Sequence, residues 1–134
     1  MREYVYDPVR KKRVALTPEE DVRQQLIREL STNHGYPLHL MSCEYSLSIN
    51  KLCYRGDLVV FNREGAPVML VECKAPEVGI SKDTFLQILR YNVALKVTYL
   101  LLTNGLDTFM AKIETKTGEY TFLTSIPEYN EISK

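Results

Sequence analysis

Residues 57–74 read Asp57-Leu58-Val59-Val60-Phe61-Asn62-Arg63-Glu64-Gly65-Ala66-Pro67-Val68-Met69-Leu70-Val71-Glu72-Cys73-Lys74. Two apolar, β-branched-rich runs flank a cluster of turn-forming residues, which predicts a β-hairpin. Centring the turn on Glu64-Gly65 sets Asp57 directly opposite Glu72, where Cβ atoms are about 5 Å apart. Two like charges held that close repel unless something positive lies between them. Glu72 and Lys74 share one face of their strand, and Cys73 points to the other. A one-residue slip in register would break this pairing.

Two converging carboxylates suit a hard divalent cation such as Mg²⁺, which takes oxygen ligands and keeps several waters. A metal so placed acidifies bound water and polarises a phosphoryl oxygen. A lysine beside it can orient the attacking water or offset charge on the phosphate. The plainer reading is a salt-bridged sheet edge with ordinary surface charges. An E-x-K tripeptide alone would favour that reading. Its position after the buried run 68–71, with an aspartate at matching height, favours a site.

Upstream, residues 40–49 alternate. Met41, Cys43, Tyr45, Leu47 and Ile49 are expected on one face, with Ser42, Glu44, Ser46 and Ser48 on the other. Before them, Thr17-Pro18-Glu19-Glu20 supplies an N-cap, a proline at the first helical position and a glutamate three residues after the cap. Val22, Leu26, Ile27 and Leu30 follow at helical spacing, and Asn33-His34-Gly35-Tyr36-Pro37 ends the helix. On a helical wheel Glu19 falls within the apolar arc and Glu20 well off it, so packing does not explain Glu19. Residues 1–16 are expected to form a basic, solvated arm around Arg10-Lys11-Lys12-Arg13; a phosphate-contacting arm is the lesser alternative.

Downstream, a helix is expected from about Ser81 to Lys96 and a buried strand from Val97 to Thr103. A C-terminal hairpin is expected from 109–113 and 120–123 around Lys116-Thr117-Gly118. The order helix, three strands, helix, strand, hairpin makes an α/β protein, a mixed sheet flanked by helices.

Composition agrees with one soluble domain. The chain has 134 residues, 45% apolar and 25% charged, which suffices for one core and excludes disorder. Seventeen basic residues balance seventeen acidic ones, so gripping nucleic acid by bulk charge is excluded. Neither a membrane span nor a signal peptide is evident, and three widely spaced cysteines fit a reducing cytoplasm. His34 and His39 lie at a helix end and a strand start, where capping or surface roles suffice. Asn104, after the buried strand, is explained by a turn as well as by a site.

Asp57, fourteen residues, then Glu72-Cys73-Lys74 resembles the PD-(D/E)XK nuclease core. Gln87 and Tyr91, one helical turn apart, resemble the Q-x-x-x-Y element of some branches of that superfamily. Residues 17–110, roughly seven-tenths of the chain, resemble the N-terminal nuclease domain of type I restriction enzyme R subunits. The matching stretches are 17–23, Arg55-Gly56-Asp57, 71–76, Gln87 through Asn92, and Thr103-Asn104-Gly105. Gly56 stands where proline is common.

The resemblance implies a restriction endonuclease-like fold over 1–134, with 17–110 as the core, acting as a Mg²⁺-dependent DNA endonuclease in which Mn²⁺ can substitute. It implies Asp57 and Glu72 as metal ligands, joined by a helix glutamate (Glu19, with Glu20 as fallback), and Lys74 as the catalytic lysine. Gln87 and Tyr91 would line the site, Gln87 contacting DNA or Lys74. No G-x-x-x-x-G-K-[ST] loop is present, so a separate motor or specificity subunit is expected beside the DNA; a homodimer is the further partner considered, with its role in cutting left open. The alternative is a non-catalytic nucleic-acid-binding or protein-interaction module that keeps the fold.

Overall fold

The computed structural model describes residues 2–49 and 52–134, with backbone alone at 47–49, 52–55 and 91–95. The 57–74 stretch folds as the sequence implies. Strands β4 (Leu52–Phe61) and β5 (Pro67–Cys73) pair antiparallel through Leu58 with Val71, Val59 with Leu70, and Val60 with Met69. Asp57 and Glu72 come next beyond that ladder, in the expected register. A bulge at Val60/Phe61 moves Phe61 opposite Pro67. The Asn62 side chain closes the turn by accepting from the Glu64 and Ala66 amides.

These strands belong to a six-stranded sheet in sequential order. It begins with β3 (Met41–Ile49) and continues through β4 and β5 to β6 (Tyr99–Thr103), β7 (Thr108–Ile113) and β8 (Tyr120–Phe122). Only β5 and β6 are parallel, and helix α2 (Lys82–Leu95) makes the crossover that a parallel pair needs. The β7–β8 hairpin is the expected C-terminal one. Helix α1 (Pro18–Asn33) covers one face of the sheet, packing Val22, Ile27 and Leu30 on Leu58, Val60, Val71 and Leu101. Helix α2 covers the other, with Phe85 and Leu89 against Val59, Leu70, Leu100 and Leu102. Full burial of each such side chain is worth about 1.5–3 kcal/mol. Sheet residues alternate between the two clusters because side chains alternate along a strand.

Four expectations change. Residues 1–16 are not a solvated arm: β1 (Tyr4–Asp7) and β2 (Lys12–Ala15) form a separate antiparallel hairpin. Lys11, Lys12 and Arg13 are exposed, whereas Arg10 binds Asp7 and Glu20. Glu20, off the apolar arc on the wheel, is consequently buried, because this hairpin brings a guanidinium to a flank of α1 that a wheel treats as solvent. The first strand of the hairpin starts at Leu52 rather than Asp57, extending the pairing with β3.

The fourth change concerns the even alternation of β3. Glu44 has φ 54°, in the left-handed region. Met41 and Cys43 pack on the α1 side, but Tyr45 packs on the α2 side with Phe61. A residue in the left-handed region reverses the pleat, so side chains beyond it exchange faces.

Both ends of α1 match their signals. Thr17 is the N-cap, its hydroxyl accepting from the Glu20 amide at 3.1 Å. Beyond Asn33, Gly35 has φ 73° and the Tyr36 amide closes back on Leu30 O. A short helix α3 (Tyr129–Ile132), absent from the sequence reading, ends the chain. Its Tyr129 is buried edge-to-face on Tyr36 and donates its hydroxyl hydrogen to Phe61 O at 2.9 Å.

Candidate active site

The site lies where β4 begins its pairing with β5 and β5 ends beside β6. Asp57 Oδ2 accepts a hydrogen bond from the Cys73 amide at 2.7 Å. That bond fixes the carboxylate across the strand end. The backbone of Asp57 is held from behind by Arg23, whose Nη1 is 3.5 Å from Asp57 O. The β3–β4 ladder runs from Cys43/Leu58 to Tyr45/Gly56, with left-handed Glu44 at the position facing Asp57. The left-handed backbone of Glu44 re-aims the β3 side chains beside Asp57 without shifting the strand register. Gly56 permits the close approach: a Cβ there would overlap Leu70 Cδ1 and lie 3.3 Å from Val59 Cγ2.

Glu72 is half-buried, and its carboxyl is pushed up to about 7. Burial is the main cause, followed by the charge of Asp57, with a smaller contribution from Glu19; Lys74 opposes them. Asp57, Lys74 and Glu19 therefore all act on the same carboxyl. The Lys74 amide donates to Thr103 O at 2.9 Å, carrying the β5 chain on along β6. The loop after β6 meets α1 near its start, since a Cβ at Gly105 would lie 3.3 Å from Val22 Cγ2. This contact brings the first turn of α1, with Glu19, toward the strand ends.

Glu20 is committed elsewhere. Its carboxylate accepts from Arg10 Nη2 at 2.6 Å and from Gln24 Nε2 at 3.1 Å, and it lies 3.4 Å from Arg23 Nε. Gln87 is exposed on α2, and among the described residues no hydrogen bond joins it to Asp57, Glu72 or Lys74. Tyr91 belongs to the same helix, but its side chain lies outside the described residues. Asn104 is buried and serves its turn: its side-chain oxygen accepts from Leu106 and Asp107, and its amide donates to Val78 O. His34 bridges Glu29 and Glu128 at 3.1 Å each beside the helix end.

The chemistry of the donor set fits a hard divalent cation in part. Asp57 and Glu72 supply carboxylate oxygens; the Glu72 carboxyl is raised mainly by burial and secondarily by the charge of Asp57, and a cation would offset the second. Among the described residues, however, no group of three or more His, Cys, Asp or Glu is gathered closely enough to hold a metal ion.

Sequence reasoning passed over Arg23 and read Arg10 as part of a solvated arm. Arg23 is buried and spans Glu20, Glu44 (3.8 Å) and Asp57 O, and among the described residues its Nε has no hydrogen-bond partner. The available signal was Arg23 three residues after Glu20, a spacing that brings side chains together on a helix. Spacing alone does not reveal that both would be buried.

No curated protein matches the chain. A solved fragment assigned as an HsdR subunit of a type I restriction enzyme, from Vibrio vulnificus YJ016, is similar to it in fold, with a TM-score of 0.58 at 18% identity. That similarity covers 87% of this chain and 24% of the other, so the chain spans about a quarter of that relative's length. Among the described residues, no helix is long and apolar enough to cross a membrane. The family model described as "Type I restriction enzyme R protein N terminus (HSDR_N)" matches residues 18–127. The six-stranded mixed sheet and the extent of that match together place this chain in the type I restriction enzyme R protein N-terminus family.

Proposed function

We infer that the chain is a divalent-metal-dependent nuclease domain that hydrolyses phosphodiester bonds in DNA. The observation that carries this reading is the meeting of the two strand ends: Asp57 lies one step beyond the Leu58–Val71 pair, and its carboxylate accepts the amide hydrogen of Cys73, the residue after Glu72, at 2.7 Å. Asp57 and Glu72 would hold Mg²⁺ (or Mn²⁺), with Glu19 as the third carboxylate. Bound there, the metal supplies an acidified water and a positive charge beside the phosphate. Lys74, the residue directly after β5, orients the water and offsets charge on the phosphoryl oxygens. Gln87 and Tyr91 are proposed to contact DNA from α2, which the exposure of Gln87 permits. The R-subunit context supports delivery of DNA by a separate motor or specificity subunit, and a homodimer is the accompanying proposal.

One observation favours a second reading, a non-catalytic module that retains the fold: the lack of a gathered three-ligand group among the described residues. Incubating the purified chain with plasmid and linear DNA in Mg²⁺ or Mn²⁺ separates the two. Cleavage abolished by Lys74→Ala supports the nuclease; no cleavage under any metal supports the module.

A further inference from the structure

We propose that the β1–β2 hairpin is a DNA-backbone contact surface, with Lys11, Lys12 and Arg13 binding phosphates beside the candidate active site. The inference rests on the nuclease reading and adds a substrate-holding element to it. Residues 1–16 carry five basic and two acidic side chains, an excess of three positive charges balanced by three negative over the remainder. The neutral total therefore conceals a polarised chain. Within the hairpin, both Asp7 and Arg10 are consumed internally, Arg10 binding Asp7 and Glu20. What faces solvent is Arg2, Lys11, Lys12 and Arg13 against the single acid Glu3, together with Tyr4 and Tyr6, which are 50% and 59% exposed.

Three further observations set this basic run apart from an ordinary solvated surface. First, the hairpin is anchored: buried Asp7 accepts from the Val9 amide at 2.9 Å and binds Arg10, while Arg10 bridges to Glu20 of α1 at 2.6 Å. Charges on such a base are presented in fixed places, which lowers the ordering cost of binding.

Second, Lys11 sits at φ 57°. Its amide closes the turn on Asp7 O at 2.7 Å. Glycine is the default residue in that region, and a side chain there costs about 1 kcal/mol or more. This closed turn fixes the backbone at which the basic run begins.

Third, the hairpin adjoins the site. Arg10 Nη1 is 4.0 Å from the carboxylate of Glu44, and Glu44 occupies the place facing Asp57 on the next strand. Adjacent strands are about 4.8 Å apart. Arg10 thereby ties the hairpin that carries the basic run to the strand flanking Asp57. Arg13 lies over the Tyr4 ring, 5.4 Å from its centre, which steadies the guanidinium on the exposed face.

The test is equilibrium binding of a fluorescent DNA duplex to the full chain in EDTA, over a series of salt concentrations. The wild type is compared with Lys11→Gln/Lys12→Gln/Arg13→Gln and with Asp57→Asn. Thermal unfolding confirms that each variant is folded. The expected result is a loss of about tenfold or more in affinity near 50 mM salt for the triple variant, and a log K–log salt slope shallower by roughly two to three. Asp57→Asn should bind at least as tightly as the wild type, since it removes a negative charge. Unchanged affinity and slope in the folded triple variant would overturn the hairpin proposal, as would undetectable binding by the wild type at low salt. Neither result touches the metal-site reading, which fails separately if Asp57→Asn leaves metal binding intact.

Discussion

Asp57 Oδ2 accepts the Cys73 amide hydrogen at 2.7 Å, tying the first site carboxylate to the strand that carries the second. One bond thus fixes the spacing between the two acids without neutralising either. The result is a crowded pair, in which Glu72 bears the cost.

That cost predicts a stability gain from Glu72→Gln. The folded-state carboxyl lies near 7, above its ordinary value of 4.5. Between those values the folded chain holds more protons than the unfolded chain, so this group lowers stability as pH rises through that window. Glu72→Gln should raise Tm above pH 7 by a few degrees, about 1 kcal/mol, and leave it little changed near pH 4. Differential scanning calorimetry at the two pH values checks this. A lower Tm for Glu72→Gln at pH 8 contradicts it.

The opposite sign holds at Asp7. Burial pushes its carboxyl up, but hydrogen bonds from Arg10, the Val9 amide and Gln24 together bring it below the usual carboxylate range. Its contribution is present above the unfolded-state value near 3.8 and is lost as pH falls through the lower folded-state value. Asp7→Asn should cost about 3 kcal/mol at neutral pH, because it leaves Arg10 with Glu20 as its remaining close partner. The variant should also lose this acid-dependent part of its unfolding curve, which urea titrations at pH 3 and pH 7 measure.

Gly56→Ala should destabilise the chain by about 1–3 kcal/mol, because the new Cβ would overlap Leu70 Cδ1 in the core. Urea unfolding monitored by circular dichroism reads the loss.

Arg23→Lys keeps a charge near Glu20 but removes the planar fork that reaches Asp57 O. It should weaken metal binding roughly threefold to tenfold while lowering Tm by only a few degrees. Arg23→Ala should cost about 3 kcal/mol through the charges it leaves buried. Parallel metal titrations and thermal melts distinguish positioning from a purely structural role: equal metal affinity in folded Arg23→Lys excludes the former.

Much of the sheet was legible because its signals are local. The Asn62–Ala66 turn, the runs either side of it and the Thr17 cap each specify their own structure, and the β4–β5 register followed from the turn. What escaped depends on partners distant in sequence. Glu20 was readable as a capping residue and not as a buried ion-pair partner, because nothing nearby in the chain announces that Arg10 will fold over it. Tyr45 changed faces because one residue, Glu44, adopts a left-handed backbone that no periodicity encodes. At the site, Asp57 and Glu72 were readable as neighbours from register alone. The buried brace of Arg23 was not, since its contacts join α1 to β3 and β4.

The most direct test is calorimetric titration of Mn²⁺ into the wild-type chain and into Asp57→Asn at pH 7.5. A metal held by Asp57 and Glu72 predicts a saturable site in the wild type, with proton release as the raised Glu72 carboxyl ionises, and loss of that site in the variant. No Mn²⁺ binding by the wild type, or equal binding by both, would contradict it.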